Sequence, residues 1–115
     1  MNRFQRSLKV LNSKVLSMLG LSRRAGAVII GTDLVTKALP SGKVKLVMYS
    51  CDASANTEKK ITDKCRFYKA ECIKLSYDGS EIAHAIGKQS TVSVVGITDE
   101  NFSREIIFRI SNETR

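Results

Sequence analysis

A glycine turn followed by a polar segment and a lysine, residues 31–37, is the stretch of this sequence best suited to bind a ligand. Gly31 has no Cβ atom, so the backbone can turn sharply there and a bulky ligand can come close. Thr32 or Asp33 is predicted to cap the following helix by accepting a hydrogen bond from one of its free N–H groups. Lys37 lies four residues after Asp33 and projects from the same side of that helix. Backbone N–H groups, a short polar side chain and a lysine together suit a polyanion such as RNA.

The positive charge of the chain is concentrated in its first 45 residues. The net charge is +8 at pH 7 and the isoelectric point is about 9.7. The first 45 residues contain nine basic residues and one acidic residue, whereas the rest contains ten of each. This asymmetry produces a one-sided field that attracts a polyanionic partner. A basic face that serves solubility alone is the alternative, and the high isoelectric point favours nucleic acid.

The sequence lacks the common enzyme motifs. It contains no phosphate-binding G-x-x-x-x-G-K-[ST], no dinucleotide-binding G-x-G-x-x-G and no G-x-S-x-G nucleophile elbow. His84 is the only histidine; it could contact phosphate or a base, or be an ordinary surface histidine. The acidic residues at predicted helix starts are explained by the helix dipole. We therefore predict no catalytic residue and no enzymatic activity.

The three cysteines, Cys51, Cys65 and Cys72, predict neither a metal site nor a cofactor. They form no C-x-x-C pair and have only one histidine to join them. Cys65 and Cys72 are predicted to fill small apolar spaces in a helix and a strand. Reduced thiols favour a cytoplasmic protein. No apolar run approaches the roughly 20 residues of a membrane span. Residues 1–24 have the composition of a mitochondrial transit peptide, but they also make a plausible packed first helix.

Apolar periodicity predicts helices that alternate with strands in a single domain over residues 1–115. Residues 1–7 are predicted to be a basic arm and residues 111–115 a frayed tail. Asp78 and Glu81 have the spacing of a capping box, and Gly26 is predicted to end the first helix. The predicted helices cover residues 8–24, 33–39, 56–69, 79–86 and 99–110, and the predicted strands cover residues 28–30, 44–49, 72–75 and 91–97.

This alternation predicts an α/β protein, a three-layer α/β/α sandwich around a sheet of about four strands. Connection rules by themselves favour a mostly parallel sheet. Ile61, Cys65 and Tyr68 are predicted to face the core from the third helix, and Phe102, Ile106 and Ile110 from the last one.

Aromatic residues give no sign of a single-strand binding sheet. There is no Trp, and the seven Phe and Tyr residues are scattered along the chain. No strand therefore offers a row of stacking rings. RNA would be recognised by shape, backbone and a few base edges, through loops.

The sequence of residues 31–38, GTDLVTKA, resembles the Gly-Thr-Asn-Glu-x-Thr-Lys signature of the kink-turn RNA-binding family of ribosomal proteins, the superfamily of L7Ae and L30e. The segments LGL at 19–21, RRAG at 23–26, DKC at 63–65 and HAIGK at 84–88 resemble the small bacterial YlxQ-type members of this family. The resemblance covers residues 16–107, with all the segments in the same order. It implies a mixed four-stranded sheet, no cofactor and no catalysis.

The resemblance also implies a ligand, a sharply bent RNA internal loop with tandem sheared G·A pairs, and a role for each matching residue. Gly31 and Thr32 would approach the RNA backbone, Asp33 and Leu34 would face the G·A pairs, and Lys37 would reach a guanine edge or a phosphate. Arg24 belongs to the same candidate set, and a second loop would be lined by His84, Ile86, Gly87 and Lys88. The implied partner is ribosomal or kink-turn RNA, together with ribosomal or translation proteins, and the chain is expected to be a monomer.

The pair Asp33–Leu34 departs from the Asn-Glu pair of the family signature. Asp33 can accept a hydrogen bond but cannot donate one, and Leu34 can do neither. Each base-edge hydrogen bond that is missing for this reason costs about 1–3 kcal/mol of binding energy. The alternative function is therefore a ribosome-associated adaptor that docks on a protein and no longer has kink-turn specificity. A third possibility is a stand-alone relative of the RNA-binding domain fused to some RNA methyltransferases, without activity of its own.

Overall fold

A computed structural model of the protein describes residues 13–113 and shows helices and strands alternating along this range. A short 3₁₀ turn, Leu39–Ser41, directly follows the second helix. The elements are α1 Lys14–Arg24, β1 Val28–Ile30, α2 Thr32–Ala38, β2 Leu46–Tyr49, α3 Ala55–Tyr68, β3 Glu71–Lys74, α4 Gly79–Ala85, β4 Val94–Ile97 and α5 Glu100–Glu113.

The four strands form one mixed sheet in the order β1-β4-β2-β3. β2 and β3 are parallel, whereas β4 runs antiparallel to both of its neighbours, β1 and β2. The mixed sheet implied by the family resemblance is confirmed, and the mostly parallel sheet favoured by connection rules is wrong. The difference arises because β4, the last strand within residues 13–113, lies between β1 and β2 and runs opposite to both.

Helices cover both faces of the sheet, which confirms the predicted α/β/α sandwich. Side chains alternate along a strand, so Leu46 and Met48 point to one face of β2 and Val47 and Tyr49 to the other. The first face packs against α1, α4 and α5. The second face packs against α2 and α3. No helix within residues 13–113 is long and apolar enough to cross a membrane.

Helix α1 has a defined cap at its start and ends where the sequence predicts. Ser13 has an extended backbone, and its Oγ accepts a hydrogen bond from Leu16 N at 3.1 Å, so Ser13 caps a helix that starts at Lys14. The predicted start at residue 8 and the predicted basic arm, residues 1–7, lie outside the described residues. The predicted end is confirmed, because Gly26 follows α1 with a φ of 75°.

The last helix is longer than predicted and is tied to the first. The Tyr77 hydroxyl donates to Glu113 Oε2 at 2.8 Å and lies 2.7 Å from Ser13 Oγ. Ser13 Oγ is also 3.0 Å from Glu113 Oε1. Burial raises the pKa of Tyr77 to about 12. The predicted frayed tail is therefore wrong for residues 111–113, and residues 114–115 lie outside the described range.

The third and fourth helices follow their predicted signals in most details. Asp78 and Glu81 form the predicted capping box, and Ile61 and Cys65 are buried as expected. Tyr68 does not face the core, because 36% of its surface is exposed. On the neighbouring strand, Cys72 packs against the same cluster as Cys65. The hydrogen bond between these two thiols, together with burial, raises the pKa of Cys72.

Candidate nucleic-acid interface

The turn at Gly31 has a backbone conformation that only glycine adopts readily. Its φ is 100° and its ψ is 150°, a region that disfavours every residue with a Cβ atom. The Gly31 N–H donates to Val94 O at 2.9 Å, which fixes the turn against the beginning of β4. Among residues 13–113, no atom lies within 4 Å of a Cβ atom placed on Gly31. The turn is therefore both anchored and open to a ligand.

Helix α2 is held against the sheet by a second glycine. Val35 is fully buried, and a Cβ atom on Gly96 would lie 3.4 Å from its Cγ2 and 3.2 Å from Val44 Cγ1. An alanine at position 96 would push these two valine side chains back by a few tenths of an ångström, so glycine favours the close packing of α2 on β4.

The first turn of α2 is not capped in the way the sequence suggests. Gly31 occupies the cap position, and no side chain among the described residues caps the helix. Thr32 is already the first helical residue, and Asp33 instead lies 3.5 Å from Lys60 Nζ on α3, measured to its Oδ1. The prediction that Thr32 or Asp33 caps α2 is therefore wrong.

Two side chains of α2 face solvent next to this turn. Leu34 is 58% exposed, so it does not pack on a neighbouring helix. Lys37 is also exposed, one helical turn further along. The outer face of α2 thus presents one apolar side chain and one exposed cationic side chain, with Asp33 beside them.

The loop between α4 and β4 covers residues 86–93, and the carboxyl end of this loop lies next to the Gly31 turn. Ile30 pairs with Val95, so the beginning of β4 adjoins the end of β1. Val92 N donates to Gly79 O at 3.0 Å, which returns the loop to the same end of the sheet. The sheet therefore brings together two segments that are about 60 residues apart in the sequence.

Three exposed polar residues of this loop were not selected from the sequence: Gln89, Ser90 and Thr91. They lie between Gly87 and the start of β4, on the part of the loop that approaches the turn. In the sequence, only this position distinguishes these residues, because runs of small polar residues are common in loops that precede a strand.

The residues selected at the start of the loop have different environments. His84 and Lys88 are exposed. Gly87 has a φ of 76°, and Lys88 N donates a hydrogen bond to Ala83 O at 2.8 Å. Ile86 is only 5% exposed and belongs to the core. Its side chain supports the loop from below and does not line a surface, contrary to expectation.

Arg24 lies away from Gly31, at the other end of β1. Val28, at the start of that strand, pairs with Ile97, the far end of β4. Arg24 instead lies near the carboxyl end of α4, because Gly20 lets α1 approach that end closely. A Cβ atom on Gly20 would be 2.9 Å from Ala85 O and 3.8 Å from Arg24 Nη1. Arg24 therefore extends the surface that carries the start of the loop.

The exposed cations around this surface keep their charge available for a ligand. Arg24, Lys37 and Lys88 are exposed, and within residues 13–113 they have no carboxylate within ion-pair distance. Within the same range, no group of three or more His, Cys, Asp or Glu side chains could hold a metal ion. The interface is defined here as the Gly31 turn, α2 and the loop of residues 86–93.

These features define a class of small α/β/α proteins in which a glycine turn, a short helix and a polar loop meet at one end of a mixed sheet. The sequence profile of the "Ribosomal protein L7Ae/L30e/S12e/Gadd45 family" matches residues 13–107. The chain belongs to this family.

Individual relatives agree with this assignment. RNA-binding protein YlxQ of Bacillus subtilis is 42% identical over 90 residues, covering 78% of this chain and 88% of the relative. Large ribosomal subunit protein eL30 of Sulfolobus acidocaldarius is 34% identical over 85 residues, covering 74% and 82%. A solved structure of a Bacillus halodurans protein of unknown function superimposes with a TM-score of 0.81 at 37% identity, covering 87% of this chain and 99% of that one.

Proposed function

We propose that this chain binds structured RNA through the interface and catalyses no reaction. The observation that carries the proposal is the hydrogen bond from Gly31 N to Val94 O, which joins the turn and the loop into one surface. Relatives named as an RNA-binding protein and as a large ribosomal subunit protein support it. The proposed target is a kink-turn-like internal loop in ribosomal or other structured RNA. We further propose that the chain acts as a single-domain monomer in the cytoplasm.

Each part of the interface has a separate task in this proposal. Gly31 and Thr32 let the RNA backbone come close, because no atom of the described residues lies within 4 Å of a Cβ position on Gly31. Lys37 contributes a long, mobile cation that reaches a guanine edge or a phosphate. The exposed loop residues from Gly87 to Thr91 cover the RNA from the other side.

The carboxylate of Asp33 is less of an obstacle to RNA than its charge suggests. Lys60 Nζ lies 3.5 Å from Asp33 Oδ1, so the pair presents little net charge to an approaching phosphate. Both side chains are well exposed, and such a pair contributes only about 0–1 kcal/mol to stability. Its main effect is local charge balance at the beginning of α2.

Lys37→Ala tests the proposal, with Lys43→Ala as a control that removes the same charge from an exposed lysine outside the interface. Each variant is titrated against a kink-turn RNA and a straightened RNA at several salt concentrations. Wild type should bind with an affinity that falls steeply with salt. Lys37→Ala should weaken binding to the kinked RNA by about 1–3 kcal/mol if Lys37 reads a guanine, and reduce the salt slope by about one.

Two results decide against this assignment. If Lys37→Ala binds the kinked RNA as tightly as wild type at every salt concentration, Lys37 is not part of the site. If Lys43→Ala loses as much affinity as Lys37→Ala, binding depends on net charge and the interface has no special role.

The exposed side chain of Leu34 favours a second function, an adaptor that docks on a ribosomal or translation protein. An apolar residue that is 58% exposed beside the turn fits a protein surface better than a base edge. A partner that is recovered with wild type after nuclease treatment, and is absent with Leu34→Ala, supports the adaptor. Recovery that depends on intact RNA supports the RNA-binding function.

A further inference from the structure

Two exposed aromatic rings lie at the carboxyl end of α3, outside the interface. Phe67 is 75% exposed, the highest exposure of any large apolar side chain in residues 13–113, and Tyr68 is 36% exposed. Their ring centroids are 4.8 Å apart and their planes meet at 79°. Asp63, Lys64 and these two rings line an open depression of about 330 Å³. We call these four residues the α3 platform.

The packing of the fold does not explain these rings. The buried face of α3 is formed by Ile61 and Cys65, and neither Phe67 nor Tyr68 contributes to the core clusters of the described residues. Aromatic rings are among the side chains that gain most free energy on transfer from water to an apolar environment. A ring that remains in water does not gain this stabilisation. Exposed apolar surface of this kind indicates an interaction with another molecule.

The charge around the platform favours an anionic occupant. Lys64, Arg66 and Lys69 are exposed and, in the described part of the chain, form no ion pair. The one carboxylate that lines the depression, Asp63, is held by Lys59 at 3.0 Å. Aromatic rings next to unpaired cations are the combination that binds unpaired nucleotides, the rings stacking on bases and the cations facing phosphates.

The platform is continuous with the interface. Lys60 contacts Asp33 at the beginning of α2, and Lys64 follows one turn later on α3. From residue 60 to residue 67 the helix rises by about 10 Å. A strand that leaves the Gly31 turn can therefore pass Lys60 and Lys64 and reach Phe67 without leaving the protein surface.

We propose that Phe67 and Tyr68 form a stacking platform for an unpaired base of the RNA strand that leaves the interface, with Lys64 next to its phosphate. The platform rests on the proposed RNA-binding function and adds a second binding region that recognises single-stranded RNA. Every base has a flat face, so stacking is tolerant of sequence. The platform extends the bound length of RNA and leaves the choice of internal loop to the interface.

The test compares a kink-turn RNA with the same RNA carrying a short single-stranded uridine extension at either end. Wild type should bind the extended RNA about fivefold more tightly or better, since one stacked base contributes about 1–3 kcal/mol. Phe67→Ala should remove this gain and leave the affinity for the unextended RNA unchanged. Phe108→Ala is the matched control, because Phe108 is 57% exposed on α5, which covers the opposite face of the sheet.

A photo-crosslink gives a readout that does not depend on affinity. Extensions carrying 5-iodouridine should crosslink to Phe67 or Tyr68, identified by mass spectrometry of the digested protein. The same probe on a free single-stranded oligonucleotide tests the platform without the interface.

The outcomes separate the two proposals. If wild type binds neither the kinked nor the straightened RNA, the proposed function fails. The crosslink to the free oligonucleotide then tests the platform by itself. A crosslink at Phe67 or Tyr68 supports the platform, and crosslinks elsewhere overturn it. If the kinked RNA binds but the extension adds nothing, or Phe67→Ala keeps the gain, the platform is wrong and the function stands. A nuclease-resistant protein partner that Phe67→Ala no longer binds, without any gain from the extension, assigns the rings to protein docking and also overturns the platform.

Discussion

Gly31→Ala is the substitution whose effect can be worked out most directly from the structure. A Cβ atom at this position meets no atom of residues 13–113 within 4 Å, so the change introduces no clash with the described part of the chain. The whole cost comes from the backbone, because a φ of 100° with a ψ of 150° is unfavourable for alanine by about 1–3 kcal/mol. The chain can either retain the turn and lose this stability, or relax the turn and lose the hydrogen bond to Val94 O.

Both outcomes can be measured in one set of variants. Urea denaturation gives the unfolding free energy, and titration with kink-turn RNA gives the affinity. Gly42→Ala is the control, since Gly42 has a φ of 76° and a ψ of 3°, ordinary left-handed geometry that costs alanine about 1–2 kcal/mol, and it lies outside the interface. We expect both variants to lose stability and only Gly31→Ala to lose RNA affinity.

The reasoning is refuted by either of two results. Wild-type stability together with wild-type RNA affinity in Gly31→Ala would show that the turn does not need its unusual backbone. Equal losses of affinity in Gly31→Ala and Gly42→Ala would show that RNA binding follows overall stability and not the shape of the turn.

Two further predictions concern the ends of the helices and the base-reading pair. The pKa of Tyr77 is raised from 10.0 to about 12, so the folded state favours the neutral phenol. The contribution of this group to the unfolding free energy is complete below about pH 10 and is lost as the pH rises towards 12. Tyr77→Phe should therefore reduce the alkaline fall in unfolding free energy by up to about 3 kcal/mol, and an unchanged urea profile above pH 10 would contradict this. The double variant Asp33→Asn with Leu34→Glu restores the pair of the family signature and should raise affinity for kinked RNA about tenfold or more, with no gain for straightened RNA. Unchanged affinity for the kinked RNA would mean that these positions do not read G·A pairs.

Local features of the fold were readable from the sequence because they depend on neighbouring residues. The capping box of Asp78 and Glu81 depends on two residues three positions apart, and the turn at Gly31 follows from a single residue type between a strand and a helix. The layered α/β/α arrangement follows because segments with helical apolar periodicity alternate with short apolar strand segments along the chain. Each of these needs no knowledge of distant parts of the chain.

The features that the sequence did not reveal depend on residues far apart in the chain. The central place of β4 is a pairing between remote segments, and apolar patterns do not encode strand order. Asp33 was predicted to cap its own helix, but Lys60, 27 residues later, pairs with it instead. Tyr68 fits an inward helical position by spacing, yet it is the last residue of α3 and 36% of its surface is exposed. In the candidate site, the family resemblance implied that the turn and the loop contact one RNA, but the residue patterns themselves did not show their proximity, which depends on the register of β1 and β4.

The position of β4 determines when this protein can acquire its proposed binding surface. β4 is the last strand within residues 13–113, and it pairs with both β1 and β2. The Gly31 N–H therefore finds its acceptor, Val94 O, only after a further 63 residues have been made. Such long-range pairing delays folding, and on the ribosome the turn emerges well before the strand that fixes it. A nascent chain thus carries the residues of the proposed site without their shape until β4 has left the ribosome and paired with β1 and β2.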